Sequence, residues 1–169
     1  MRSAKAKTKK KETPEGLWSK CPECGFICTV TELRENLFTC PKCNHHHRIG
    51  SAEYFEIIFD NNDIKVMFEN IRAKDYLGFT DLKSYQKRLE ETWHTTDITD
   101  SVRIASGTVK ENPLVVACMD FEFIGGSLGS VMGERISRAV DYCISTNTPL
   151  LIICKSGGAR MMASAFSLM

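Results

Sequence analysis

Apolar positions along this chain change their period several times, and each change marks an element. Tyr54, Phe55, Ile58 and Phe59 recur at helical spacing behind Ser51, which predicts a helix over 51–59 with Ser51 as N-cap. Asp60, Asn61, Asn62 and Asp63 break that period as a turn. Ile64, Val66 and Phe68 then alternate as in a short strand, although Met67 blurs the pattern. Leu82, Tyr85 and Leu89 return to helical spacing within 81–92.

From residue 101 the character shifts. Val102, Ile104 and Thr108 alternate, and after Asn112 and Pro113 comes the apolar run 114–119, which predicts two adjacent strands and a tight turn. Ile136, Ala139, Val140, Cys143 and Ile144 give the stripe of a one-sided helix that Asn147 and Pro149 end. The apolar run 150–154 is of strand length and leads through Ser156, Gly157 and Gly158 into a further predicted helix. Strand, helix, strand, helix is the order of a layered α/β fold with right-handed crossovers.

Charge changes this picture only at the N-terminus. Arg2, Lys5, Lys7, Lys9, Lys10 and Lys11 stand there without an acid, yet the whole chain carries only +1, so a neutral body follows a basic tail. Residues 1–16 lack the apolar content to offset ordering and are expected to be disordered. That tail has no apolar secretory core, and no run of about 18 apolar residues follows, which points to a cytoplasmic protein without a membrane partner. Without a secretory signal, eight cysteines indicate metal binding plus buried free thiols. Cys118, Cys143 and Cys154 lie among apolar residues and are expected to be buried.

Four of the eight form a metal pattern. Cys21-Pro-Glu-Cys24 and Cys40-Pro-Lys-Cys43, fifteen residues apart, have the spacing of a four-cysteine zinc ribbon over residues 17–48. Each pair makes a knuckle, and Gly25 follows the first where the backbone must turn. Four thiolates close a tetrahedral shell and leave no position for water, so one structural Zn2+ is expected. Cys28 and the run His45, His46, His47 are competing ligands, but the four-cysteine set is complete without them.

Two glycine-rich stretches follow apolar runs: Gly125 and Gly126 in the first, Gly157 and Gly158 in the second. Neither matches a phosphate loop or a dinucleotide fingerprint. Paired glycines at a helix start suit backbone N–H groups presented to a developing anion, and they equally suit close packing of loop against sheet. The residues leave both readings open.

The order of ribbon, then residues 121–135 with Gly125, Gly126 and Gly129, then Ser156-Gly-Gly-Ala-Arg-Met161 resembles the carboxyltransferase beta subunit of bacterial and plastid acetyl-CoA carboxylase. The likeness runs over about residues 14–169. It implies a crotonase-like domain (ClpP/crotonase superfamily) of ββα units over 101–169, joined to the ribbon by a helical connecting segment over 49–100. It implies an enzyme component, a transferase that moves the carboxyl group of carboxybiotin to acetyl-CoA to give malonyl-CoA, the committed step of fatty acid biosynthesis. The implied partners are the carboxyltransferase alpha subunit in an alpha2-beta2 assembly, biotin carboxylase, and the biotin carboxyl carrier protein that brings the biotin. As carboxybiotin decomposes, a biotin nitrogen takes the methyl proton and leaves a thioester enolate to attack CO2. The resemblance makes Gly157 and Gly158 the backbone donors to the thioester oxygen, Gly125 and Gly126 the adjoining wall, and Ala159 and Arg160 substrate-binding positions. Arg160 is also a candidate for a structural salt bridge.

Two departures stand out. Met162, Ala163 and Ser164 replace the family's usual continuation to a glutamate. The family's subunits also continue well past the position of Met169, so the chain is expected to be C-terminally truncated, inactive alone and poorly stable outside the ribbon. The rival function is a zinc-ribbon nucleic-acid-binding module, with weak, salt-sensitive binding through Lys5 to Lys11. A purely structural interaction subunit is a third.

Overall fold

The computed structural model describes residues 16–60 and 63–168. The basic tail expected over 1–16 therefore lies, except for Gly16, outside the described residues. The chain divides into two compact units, Met1–Arg48 and Ile49–Met169.

In the first unit, β1 (Trp18–Lys20) and β2 (Ile27–Thr29) pair antiparallel, and α1 (Val30–Glu35) follows at once. Thr29 caps α1 reciprocally: its Oγ1 accepts the Glu32 N–H at 3.1 Å while Glu32 Oε2 accepts the Thr29 N–H at 2.8 Å.

The second unit is built on one sheet of order β3-β4-β5-β6, from β3 (Lys65–Met67), β4 (Val102–Val109), β5 (Asn112–Met119) and β6 (Leu150–Ile153). The β4–β5 hairpin turns at Lys110 and Glu111, both with positive φ, rather than at Asn112 and Pro113, which join the strand. Two left-handed residues give the twist a two-residue hairpin needs, and the Asp60 carboxylate accepts the Glu111 N–H at 3.0 Å to hold them there. β6 returns parallel to β5 through α4 (Ser130–Thr146).

Side-chain alternation fills both faces of this sheet. Val102, Ile104, Val115, Ala117 and Met119 meet Ala139 and Cys143 of α4 on one side. Ala105, Val116 and Cys118 meet Phe55 and Phe59, at the end of α2 (Ser51–Ile58), on the other. Burial on both faces explains why 114–119 reads as continuously apolar. Gly107 belongs to this contact, because a β-carbon there would lie 2.6 Å from the Phe59 ring.

Several elements differ from the sequence expectation. Ser51 is the first residue of α2 and is buried, while Gly50 occupies the N-cap. The helix expected over 81–92 is α3 (Tyr85–Thr95), because the Ser84 hydroxyl accepts the Lys87 N–H and starts it there. Segment 49–100 does not merely connect: it supplies a strand of the sheet and, through Tyr85 and Leu89 of α3, a third core with Phe123, Val131 and Met162. α4 begins six residues before its expected stripe and buries Val131, Arg135, Ala139 and Cys143, leaving Ile144 exposed. Beyond β6 the predicted α-helix is replaced by 3-10 turns over Met161–Leu168, kinked at Ser164 with φ 49° and ψ −135°. Cys118 and Cys143 are buried as expected, but Cys154 is exposed just past the end of β6.

Candidate functional site

Two sites emerge, one in each unit. In the first, Cys21, Cys24, Cys40 and Cys43 converge, their sulfurs all within 4.8 Å of one another. The two knuckles are built alike. Cys21 N–H donates to Phe26 O and Gly25 N–H to Cys21 O; Cys40 N–H donates to His45 O and Asn44 N–H to Cys40 O. Gly25 (φ 69°) and Asn44 (φ 59°) make the same left-handed turn after each pair. Asn44 was not singled out from the sequence, although asparagine is a residue that tolerates this conformation.

Sulfur separations of 3.7 Å for Cys21–Cys43 and for Cys24–Cys40 test the metal fit. A tetrahedron with Zn–S bonds of about 2.3 Å has edges of about 3.8 Å, so two of its six edges are already matched and the rest lie within 4.8 Å, a donor set that fits zinc. Cys28 is buried but outside the cluster, and His46 is engaged by the Thr39 hydroxyl at 3.3 Å.

The second site is where the glycine loops meet. Gly157 N–H donates to Gly125 O at 2.9 Å, Leu128 N–H to Gly158 O at 2.9 Å, and Arg160 N–H to Leu128 O at 2.7 Å. These bonds make a short parallel bridge between Leu128 and Ala159, so two segments thirty residues apart in sequence form one surface. Close approach demands glycine at Gly126, where a β-carbon would lie 2.4 Å from Lys155 O and φ is +63°. A cavity of about 300 Å³ opens beside the bridge, lined by Phe121, Ile124, Gly125, Gly157, Gly158 and Ala159.

Which amides face this cavity follows from peptide geometry. Gly157 N–H is committed to Gly125 O and holds the loops together instead of facing a substrate. Among the described residues Gly158 N–H meets only the Ser156 hydroxyl, at 3.0 Å on an exposed loop, and a hydroxyl can rotate away. Because Gly158 O points at Leu128, the trans peptide turns Ala159 N–H away from the first loop. The Gly158 and Ala159 amides are thus the two at this junction that the bridge does not use. The helix dipole expected behind them is absent, since 3-10 turns follow; the long helix at this junction is α4, which starts after the first loop.

Arg160 faces inward. Its guanidinium is bidentate to Asp100, at 3.0 Å to Oδ2 and 3.1 Å to Oδ1. It also donates to Ser127 Oγ and O, Tyr85 Oη and Ser101 Oγ, so every N–H has an acceptor and none remains for a phosphate. Burial alone lowers the pKa of this group, but the Asp100 charge and hydrogen bonds outweigh it and the net shift is upward. Tyr85 moves upward because burial disfavours its phenolate. Sequence reasoning missed Asp100, Tyr85 and Ser127, which lie 60, 75 and 33 residues from Arg160. Periodicity put Tyr85 on a helix face, but nothing in it signalled any of the three as a partner of Arg160.

Comparison with known proteins places this geometry. A model of the carboxyl transferase domain matches residues 72–168. The acetyl-coenzyme A carboxylase carboxyl transferase subunit beta of Pedobacter heparinus is 52% identical over 160 residues, covering 95% of this chain and 57% of that protein. The subunit of the same name from Chlorobium limicola is 51% identical over 162 residues, covering 96% and 58%. The chain thus spans somewhat over half the length of these relatives. Among solved structures, the transcarboxylase 12S core with methylmalonyl-coenzyme A bound superposes with a TM-score of 0.57 over 82% of this chain and 23% of that one. At 19% identity that likeness establishes the shared crotonase-like fold alone.

Proposed function

Because the chain belongs to the carboxyl transferase family, we propose that it serves as a beta subunit of acetyl-CoA carboxylase, moving a carboxyl group from carboxybiotin to acetyl-CoA to form malonyl-CoA. The observation that carries this reading is the bridged pair of glycine loops, which sets the Gly158 and Ala159 amides beside one apolar-walled cavity. In this reading the two N–H groups hydrogen-bond the thioester oxygen as negative charge develops on it. Donors held by the loop bridge before reaction need little reorganisation during it beyond rotation of the Ser156 hydroxyl. Gly157 and Arg160 act one step back, the first by stitching the loops and the second by anchoring them to Asp100. Phe121 and Ile124 keep water from the methyl carbon that must attack.

The proposed partners are the alpha subunit, in an alpha2-beta2 assembly, with biotin carboxylase and the biotin carboxyl carrier protein that delivers biotin. Zinc is the proposed occupant of the four-cysteine cluster, where a closed shell gives it a structural role. No described helix is long and apolar enough to cross a membrane, and a cytoplasmic location fits this function. The nucleic-acid alternative draws no support from the relatives.

The test is a chimera in which residues 1–168 replace the corresponding part of the Pedobacter heparinus beta subunit, assembled with that organism's alpha subunit. Malonyl-CoA formation from carboxybiotin and acetyl-CoA is expected. A folded, assembled chimera that binds acetyl-CoA but transfers nothing, beside an active parent, would overturn the reading.

A further inference from the structure

Lys155 stands directly before Ser156, and neither the loop bridge nor the proposed chemistry uses its side chain. That side chain reaches back along the sequence: Nζ donates to Ile49 O at 2.5 Å and lies 4.7 Å from the centre of the Tyr54 ring. Its own carbonyl packs against Gly126 in the first glycine loop. The root of that first loop is fastened to the same segment. Asp120, the residue after β5, accepts the Ser51 N–H at 2.6 Å through Oδ1, and a β-carbon on Gly50 would lie 2.9 Å from that oxygen. Asp120 is buried, and its Oδ2 has no hydrogen-bond partner among the described residues. Among the described residues the Ser51 bond is therefore what anchors this side chain. It lies at the N-terminus of α2, where unsatisfied N–H groups and the helix dipole favour a carboxylate.

We infer that residues 49–54 form a bracket that sets the position of both glycine loops, with Lys155 and Asp120 as positioning residues for the candidate site. The two attachments span 106 and 69 residues of sequence, so neither is a local turn contact. Both are charge-assisted hydrogen bonds, the Asp120 one buried and the Lys155 one half-buried, and the ammonium adds a cation–π contact. One short segment fixes where Lys155 O sits, and Lys155 O in turn abuts Gly126. A shift of about 1 Å at reacting groups is enough to lower a rate a hundredfold, so fixing the loops from outside the cavity matters to the chemistry inside it.

The positioning role rests on the transferase reading, whereas the mechanical tie does not, and the experiment separates them. Amide hydrogen exchange of the full chain is compared for the unmutated protein, Lys155→Met and Lys155→Arg. In Lys155→Met the amides of Leu128, Gly157 and Arg160 are expected to exchange about tenfold faster, while β4 and β5 are unchanged and Lys155→Arg restores protection. In the chimera, Lys155→Met is expected to lower kcat about tenfold with KM for acetyl-CoA within about twofold, and Lys155→Arg to recover it. Unchanged loop exchange overturns the tie. Loosened loops with an undiminished kcat overturn the positioning role. Loosened loops beside an unmutated chimera that transfers nothing support the tie and count against the transferase reading. Should Lys155→Met also lose protection in β4 and β5, Tyr54→Leu, which removes only the aromatic face, decides by the same loop amides.

Discussion

Replacing Arg160 by methionine tests the anchoring of the second loop directly. Methionine keeps much of the side-chain volume and removes all the donors, so Asp100 is left buried with only the Ser101 N–H at 2.8 Å and the Ser101 hydroxyl at 3.1 Å. Breaking a buried ion pair from one side costs about 3–5 kcal/mol, because the remaining charge is uncompensated. Asp100→Leu breaks the same pair from the other side and is expected to cost a similar amount. Both charges vanish together in Arg160→Met with Asp100→Leu. That double variant still strands the polar atoms of Ser127, Ser101 and Tyr85, at about 1–3 kcal/mol for each left unsatisfied. Its cost should nonetheless fall well below the sum of the singles, a coupling of at least about 2 kcal/mol. Urea unfolding followed by tryptophan fluorescence reads this in a Trp18→Phe background. Trp93 then reports alone, and its indole N–H bonds Thr99 O at 3.0 Å, beside Asp100. Since domains of this kind hold about 5–15 kcal/mol in total, the midpoint shift of each single variant will be large. A loss below about 1 kcal/mol for Arg160→Met, or strict additivity in the cycle, would refute the argument that this pair anchors the loop.

The remaining predictions are smaller in scope. Cys24→Ser and Cys40→Ser are each expected to lower bound zinc from one per chain to a small fraction, measured by metal release to a chromogenic chelator, while Cys28→Ser leaves it unchanged. Gly126→Ala should destabilise the second unit far more than Gly125→Ala, since both have positive φ but only the first meets backbone within 4 Å; denaturation midpoints give the order. Hydrogen bonds from the Glu111 and Lys110 amides hold Asp60 below the ordinary aspartate range. A depressed folded pKa contributes stability above the unfolded value that is lost as pH falls through the folded one. Asp60→Asn should therefore flatten the decline of melting temperature below about pH 4. Burial pushes the Cys118 thiol up to about 12, so with zinc bound a thiol reagent near pH 8 should modify Cys154 first and leave Cys118 intact by mass spectrometry.

The parts of this protein that the sequence determined are those carried by short-range rules. Cysteine spacing specified the ribbon because two C-x2-C knuckles are local turns, and only their facing one another is tertiary. Alternation located β4, apolar runs of strand length located β5 and β6, and the helical stripe located α4. The paired glycines marked backbone that must approach other backbone closely. What tertiary structure alone decided is everything set by partners distant in sequence. Arg135 sits in the buried row of α4 with Val131, Ala139 and Cys143, because the carbonyls of Val102 and Ile71 and the Thr99 hydroxyl receive it there. Arg160 reads in sequence either as a substrate-binding position or as a salt-bridge partner, and Asp100, Tyr85 and Ser127 decide for the second by drawing it inward. The amide of Gly157 was expected to face substrate, but Gly125 O takes it; the direction of a peptide N–H depends on what its neighbour pairs with. In the proposed reading that choice moves the anion donors to Gly158 and Ala159, and no pattern along the chain encodes it.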